Sequence, residues 1–189
     1  TDPHATPLLV VVTLLGLATV VHPLSIAGDD MATTLGIAPF RFRGAVQVSV
    51  VAFTVVAWFV FALRHTGRDD VLTRPRVAAA TVPAAALGCS LWLLTLGSTT
   101  AESYDLVNFV ALVSLYLLLS LLVIGGFLLV SAAVARERFP RGQAFALTVG
   151  ALVPLIAGVG ATVAPTGGTL ISAGLPVGAL AYAGAIERY

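Results

Sequence analysis

The chain has 189 residues, 58% of them hydrophobic and 10% charged, with ten arginines, no lysine and a net charge of +1. A mean hydropathy of +1.00 is more apolar than the core of a soluble domain this size can absorb, and the lack of a basic stripe with interleaved aromatics excludes nucleic acid as a partner. The charged residues sit in gaps between apolar runs of about 18 residues or more, the length that crosses a bilayer.

Hydropathy places spans at 7–27, 45–63, 77–97, 106–134, 144–164 and 169–186. Together with short connections they use nearly the whole chain. The expectation is therefore one all-α domain over 1–189, a polytopic membrane helix bundle with six helices visible of an expected seven. The first span ends at His22-Pro23, close to Asp29 and Asp30. Arg41 and Arg43 precede the second span, which carries Gln47 near its outer end and Trp58 deeper in. It runs into Arg64-His65-Thr66-Gly67-Arg68, where Gly67 is expected as a left-handed helix cap and His65 as a solvated loop residue. Thr73 and Pro75 suit the start of the third span, and Cys89 within it reads as a small buried hydrophobe.

The fourth span, 106–134, holds Asn108 near its outer end and would extend roughly 43 Å as a helix, beyond the ~30 Å hydrocarbon core. It must tilt, bend near Gly125-Gly126, or project into the cytoplasm. Serines in such helices are expected to bond their own backbone or a neighbouring helix. Pro154 lies inside the fifth span, and Gly174, Pro176 and Gly178 lie inside the sixth. Gly174 and Gly178 form a small-xxx-small pair where helix backbones approach closely, within the bundle or at a seam with a second copy.

Arginine placement fixes the orientation. Arg64, Arg68, Arg74, Arg76, Arg136, Arg138, Arg141 and Arg188 lie on one side of the membrane, against Arg41 and Arg43 on the other. The rule that positive charge stays inside makes the first side cytoplasmic, together with both visible ends. A cytoplasmic start without an initiator methionine predicts a fragment whose parent has one more helix upstream, in the plasma membrane.

Charged residues are missing from the interior of all six spans. A charge at mid-bilayer costs about 2.5–3.5 kcal/mol and is retained where ions or protons move, which weighs against a pump or a charged-filter channel. A retinal Schiff base needs a lysine, and the chain has none. His4, His22 and His65 are scattered, so no metal site is expected. No catalytic residue and no cofactor are expected either. His22, Arg41, Arg43, Gln47 and Asn108 are the polar residues that can line an outward ligand pocket, with interfacial anchoring and helix–helix hydrogen bonding as the alternatives.

The run Phe61-Ala62-Leu63-Arg64-His65-Thr66-Gly67-Arg68, followed by Leu72-Thr73-Arg74-Pro75-Arg76, resembles the seven-helix membrane domain at the N-terminus of many histidine kinases. Its motif residues here are Phe61, Thr66, Gly67 and Arg68. Arg141-Gly142-Gln143-Ala144 with Gly150-Ala151-Leu152-Val153-Pro154-Leu155, and the terminal Ala185-Ile186-Glu187-Arg188-Tyr189, are similar to later parts of that domain. Arg64 stands where the family often has an acid.

The resemblance implies a sensor or input domain of a signal-transducing histidine kinase. Such a domain passes a conformational change through its last helix to a cytoplasmic module in the same chain. Pro154, Gly174, Pro176 and Gly178 mark where the last two helices would hold two packings. The implied partners are the lipid bilayer, that cytoplasmic module, an unidentified small ligand and a second copy of the chain. A small-molecule transporter or channel, or a non-catalytic membrane subunit, is the alternative reading.

Overall fold

The computed structural model describes residues 5–97, 99–135 and 149. Along them the chain forms α1 (Ala5–Ala27), α2 (Asp29–Thr34), α3 (Pro39–His65), a single 3-10 turn (Asp69–Val71), α4 (Arg74–Thr95) and α5 (Ala101–Ala135). The described residues contain no strand, as a bilayer-spanning chain that closes its hydrogen bonds within each segment requires. The fold is the expected helical membrane bundle. The spans foreseen at 144–164 and 169–186 lie outside the described residues, as do Pro154, Gly174, Pro176 and Gly178.

Among the described residues, three helices are long and apolar enough to cross a membrane: α3, α4 and the 102–132 stretch of α5. The 23-residue α1 corresponds to the first expected span. Observed helices differ from the expected spans at their polar ends. The second begins at Pro39 rather than 45, so Arg41 and Arg43 are helical. Hydropathy reports only the apolar part of a helix, whereas hydrogen bonding carries it on into the headgroup region. Ala38 is extended and Pro39 occupies the first turn of α3, where its missing N–H costs nothing. Thr73 does sit at the N-cap of α4 with Pro75 behind it, but its side chain makes no capping bond.

The short helix α2 was not foreseen. It ends on Gly36, whose φ of 72° lets Gly36 N donate to Thr33 O at 3.0 Å and Ile37 N to Ala32 O at 2.8 Å. Ile37 and Ala32 are both buried, the apolar contact that accompanies this kind of helix ending.

Helix α3 is the hub. It packs against α1, α4 and α5, and its apolar stretch is 50% buried, compared with 22% for α4 and 33% for α5. The core joins Val55, Trp58, Phe61 and Ala62 of α3 to Val11 of α1, Leu87 of α4 and Leu118, Leu122 and Leu129 of α5. Two glycines set its closest approaches. A Cβ on Gly88 would sit 3.2 Å from Ser49 Oγ, and one on Gly125 would sit 3.1 Å from Trp58 Nε1. Helix α5 runs unbroken through Gly125-Gly126. Its 35 residues reach about 52 Å, so the length is taken up by tilt or projection beyond the ~30 Å hydrocarbon core.

Both faces of α5 are apolar, but they differ in size. Ala111, Ser114, Leu118, Leu122 and Gly125 are buried, while Phe109, Tyr116 and Phe127 are exposed. Without water to drive helices together, close packing at small residues supplies the contact. The expected back-bonding of serines is observed: Ser120 Oγ donates to Tyr116 O at 2.8 Å and Ser131 Oγ to Leu128 O at 2.9 Å. Cys89 corrects the expectation of burial, because it is exposed on α4. An apolar run in a membrane protein does not distinguish a core position from an outward-facing one.

Candidate functional site

One end of the bundle is built where α1 ends, α2 follows, α3 and α5 begin and α4 ends. Arg43, in the second turn of α3, lies with its Nε 3.3 Å from Asp29 Oδ1, and the two side chains are 35% and 29% exposed. Asp29 opens α2, so the pair ties the short helix to the hub. Asp29 and Asp30 also face the positive end of the α2 dipole. Phe42 and Trp92 meet edge-to-face with ring centroids 5.8 Å apart, joining the start of α3 to the last turn of α4.

The foreseen pocket residues are placed unequally. Arg43 is engaged by Asp29, a partner that loop charge counting did not select. Arg41 is exposed, with its guanidinium carbon 5.8 Å from the Phe40 ring centroid. Gln47 lies one turn below Arg43 on the same face of α3 and is buried. Asn108 is exposed on α5. The backbone of His22 belongs to α1, five residues before its end. Arg43 and Gln47 thus share a face, while Arg41, two residues from Arg43, projects to the other side of the helix.

The C-terminal end of α3 carries a second constellation. Trp58 and Phe61 are buried, with centroids 5.8 Å apart, and the Phe61 ring stacks on His65 at 5.0 Å. His65 is therefore the last helical residue rather than the solvated loop histidine expected. One turn of helix sets it directly above Phe61. Thr66 is buried, and its hydroxyl donates to Ala62 O at 2.8 Å. Gly67 has φ 73°; its N–H reaches Arg64 O at 3.0 Å and that of Arg68 reaches Leu63 O at 2.9 Å. The last carbonyls of α3 are thereby satisfied.

The motif residues have separate tasks. Phe61 packs, Thr66 and Gly67 terminate the helix, and Arg68 is exposed. Nearby, Arg64 Nε lies 3.9 Å from Asp69 Oδ1, a loose, solvent-screened pair. Arg76 donates to Val71 O at 3.4 Å. No cluster of His, Cys, Asp and Glu suited to a metal occurs among the described residues.

The family described as the N-terminal 7TM region of histidine kinase matches residues 1–189. The chain belongs to that family. No curated protein gives a significant match, and no solved structure does. This histidine-kinase 7TM region is accordingly a membrane-embedded sensor segment of a signal-transducing kinase. Within it, the run Phe61 to Arg68 ends the hub helix α3 beside Arg64 and Arg68.

Proposed function

We propose that this region detects a cue at the outer face or within the membrane and passes a conformational change through its last helix, 169–186, to a cytoplasmic kinase module in the same chain. Family membership over residues 1–189 carries the reading. In it the whole chain acts as one domain of the plasma membrane, with its visible ends and the arginine-rich loops cytoplasmic. His22, Arg41, Arg43, Gln47 and Asn108 are the residues offered to a small ligand at the outer end, with Asp29 added by its ion pair to Arg43. Pro154, Gly174, Pro176 and Gly178 are where the last two helices exchange packings. A ligand shifts such an equilibrium only by its preference for one arrangement.

The test uses the full-length kinase with Cys89 replaced by serine. A cysteine pair joins the 144–164 and 169–186 helices, and autophosphorylation is read before and after oxidation. Locking the pair is expected to hold autophosphorylation at one level whatever the stimulus. Output that still responds as in the unlocked protein contradicts transmission through these helices.

A further inference from the structure

Helix α5 carries a regular seam on the side turned away from the hub. Tyr116, Ser120, Val123, Phe127, Val130 and Val134 recur at alternating intervals of four and three residues, and all six are exposed. Val134, Tyr116, Phe127 and Val123, at 76%, 69%, 69% and 64% exposure, are the most exposed large apolar residues on the helix. Such 3.5-residue spacing is the period at which one helix packs lengthwise along another. The buried residues of α5, such as Leu118, Leu122, Gly125 and Leu129, belong to the opposite side.

The segment that follows has the same period in smaller residues. Within 144–164, Ala144, Leu147, Ala151, Pro154, Gly158 and Ala161 recur at intervals of three and four, and four of the six are alanine or glycine by sequence, with Ala151 and Pro154 at the centre. Val149, the one described residue in that segment, is helical. Only residues 136–143 separate α5 from it, and so short a connection makes consecutive helices antiparallel neighbours. An antiparallel pairing that starts at this connection opposes Val134 to Ala144, Phe127 to Ala151, Ser120 to Gly158 and Tyr116 to Ala161. Leu147 then faces Val130, and Pro154 faces Val123. Three of these pairs, Val134 with Ala144, Phe127 with Ala151 and Tyr116 with Ala161, set a large residue against an alanine, Ser120 meets Gly158 where two backbones can approach closely, and one register fits both the period and the loop.

From this match we infer that the exposed seam of α5 is the docking face of residues 144–164, in the register that sets Phe127 against Ala151. The inference stands apart from the signalling proposal, since it concerns which helix 144–164 leans on and not whether its motion controls the kinase. It gives motion of that helix a material route inward, from the seam across α5 to Gly125 and Trp58 of the hub.

The experiment is cysteine crosslinking of the full-length protein in native membranes, with Cys89 replaced by serine and a protease site inserted in 136–143. Phe127→Cys with Ala151→Cys is the in-register pair. Phe127→Cys with Val153→Cys moves the second thiol about half a turn away. A disulfide forms where Cβ atoms approach to about 4 Å, so the first pair is expected to oxidise at least tenfold faster than the second. After cleavage the two pieces should stay joined until reduced. Val130→Cys with Leu147→Cys supplies an independent pair should the first fail to insert. Equal oxidation of the in-register and displaced pairs overturns the inference. So does a crosslinked dimer from Phe127→Cys alone, which would give the seam to a second copy. Kinase output plays no part in this readout, so its failure and that of the signalling proposal are separately visible.

Discussion

Gly125 of α5 faces Trp58 of α3 so closely that a Cβ at position 125 would lie 3.1 Å from the indole nitrogen and 3.5 Å from Ala62 Cβ. Trp58 is 1% exposed and held by Phe61, so the ring has little room to retreat. Gly125→Leu is expected to destabilise the bundle by about 1–3 kcal/mol through overpacking, with Gly125→Ala milder in the same direction. Gly44, also helical, has nothing within 4 Å of an added Cβ. Gly44→Ala should therefore be neutral or stabilising by up to about 1 kcal/mol, from helix propensity. Thermal unfolding of the purified protein in one detergent checks the opposite signs.

Gly67 closes α3 with a positive φ of 73°, a conformation that costs a residue with a Cβ about 1–3 kcal/mol. Gly67→Ala is expected to fall in that range, and Gly67→Asn to cost less because asparagine tolerates the left-handed region. Their relative Tm values in detergent test the order glycine, asparagine, alanine. The three alike would show that the helix end does not depend on this cap.

The Asp29–Arg43 pair is partly exposed, so its worth is modest. A double-mutant cycle with Asp29→Asn and Arg43→Gln should give a coupling of about 0–1 kcal/mol, decreasing as salt is raised. Chemical denaturation of the four proteins at low and high ionic strength measures it. A coupling of several kcal/mol that ignores salt would mean a buried pair instead.

Which parts of this structure could be read in the sequence follows from what hydropathy measures. The helices containing Trp58, Asn108 and Cys89 were visible as apolar runs, and the Gly67 cap was visible because glycine after a long run has a specific backbone use. The side of each helix that packs was not visible. Leu118 and Leu117 are equally apolar, yet one is 3% exposed and the other 49%; in a bilayer both outcomes are comfortable. Cys89 was misplaced for that reason. Gly125 reads in the sequence as a bend point, whereas in the structure its small size admits Trp58.

Arg43, Gln47 and Asn108 are legible in the sequence as polar groups near helix ends, but the pairing of Arg43 with Asp29 is not. Asp29 and Arg43 are 14 positions apart, and nothing in their spacing announces the six-residue helix α2 that brings them together. Its polar neighbours make His65 read as a loop residue, although it is the last residue of α3. The stacking on Phe61 follows because α3 runs to His65, two residues past the hydropathy span that ends at 63.

In the proposed orientation the arginine-rich ends of this bundle lie in the cytoplasm and the Asp29–Arg43 end lies outside. Labelling intact cells with a membrane-impermeant maleimide tests it most directly, using single cysteines in a Cys89→Ser background. Thr99→Cys, between α4 and α5, should label on intact cells, and Asp70→Cys, between α3 and α4, only after permeabilisation. Labelling of Asp70→Cys on intact cells, with Thr99→Cys protected, would invert the bundle and contradict the account.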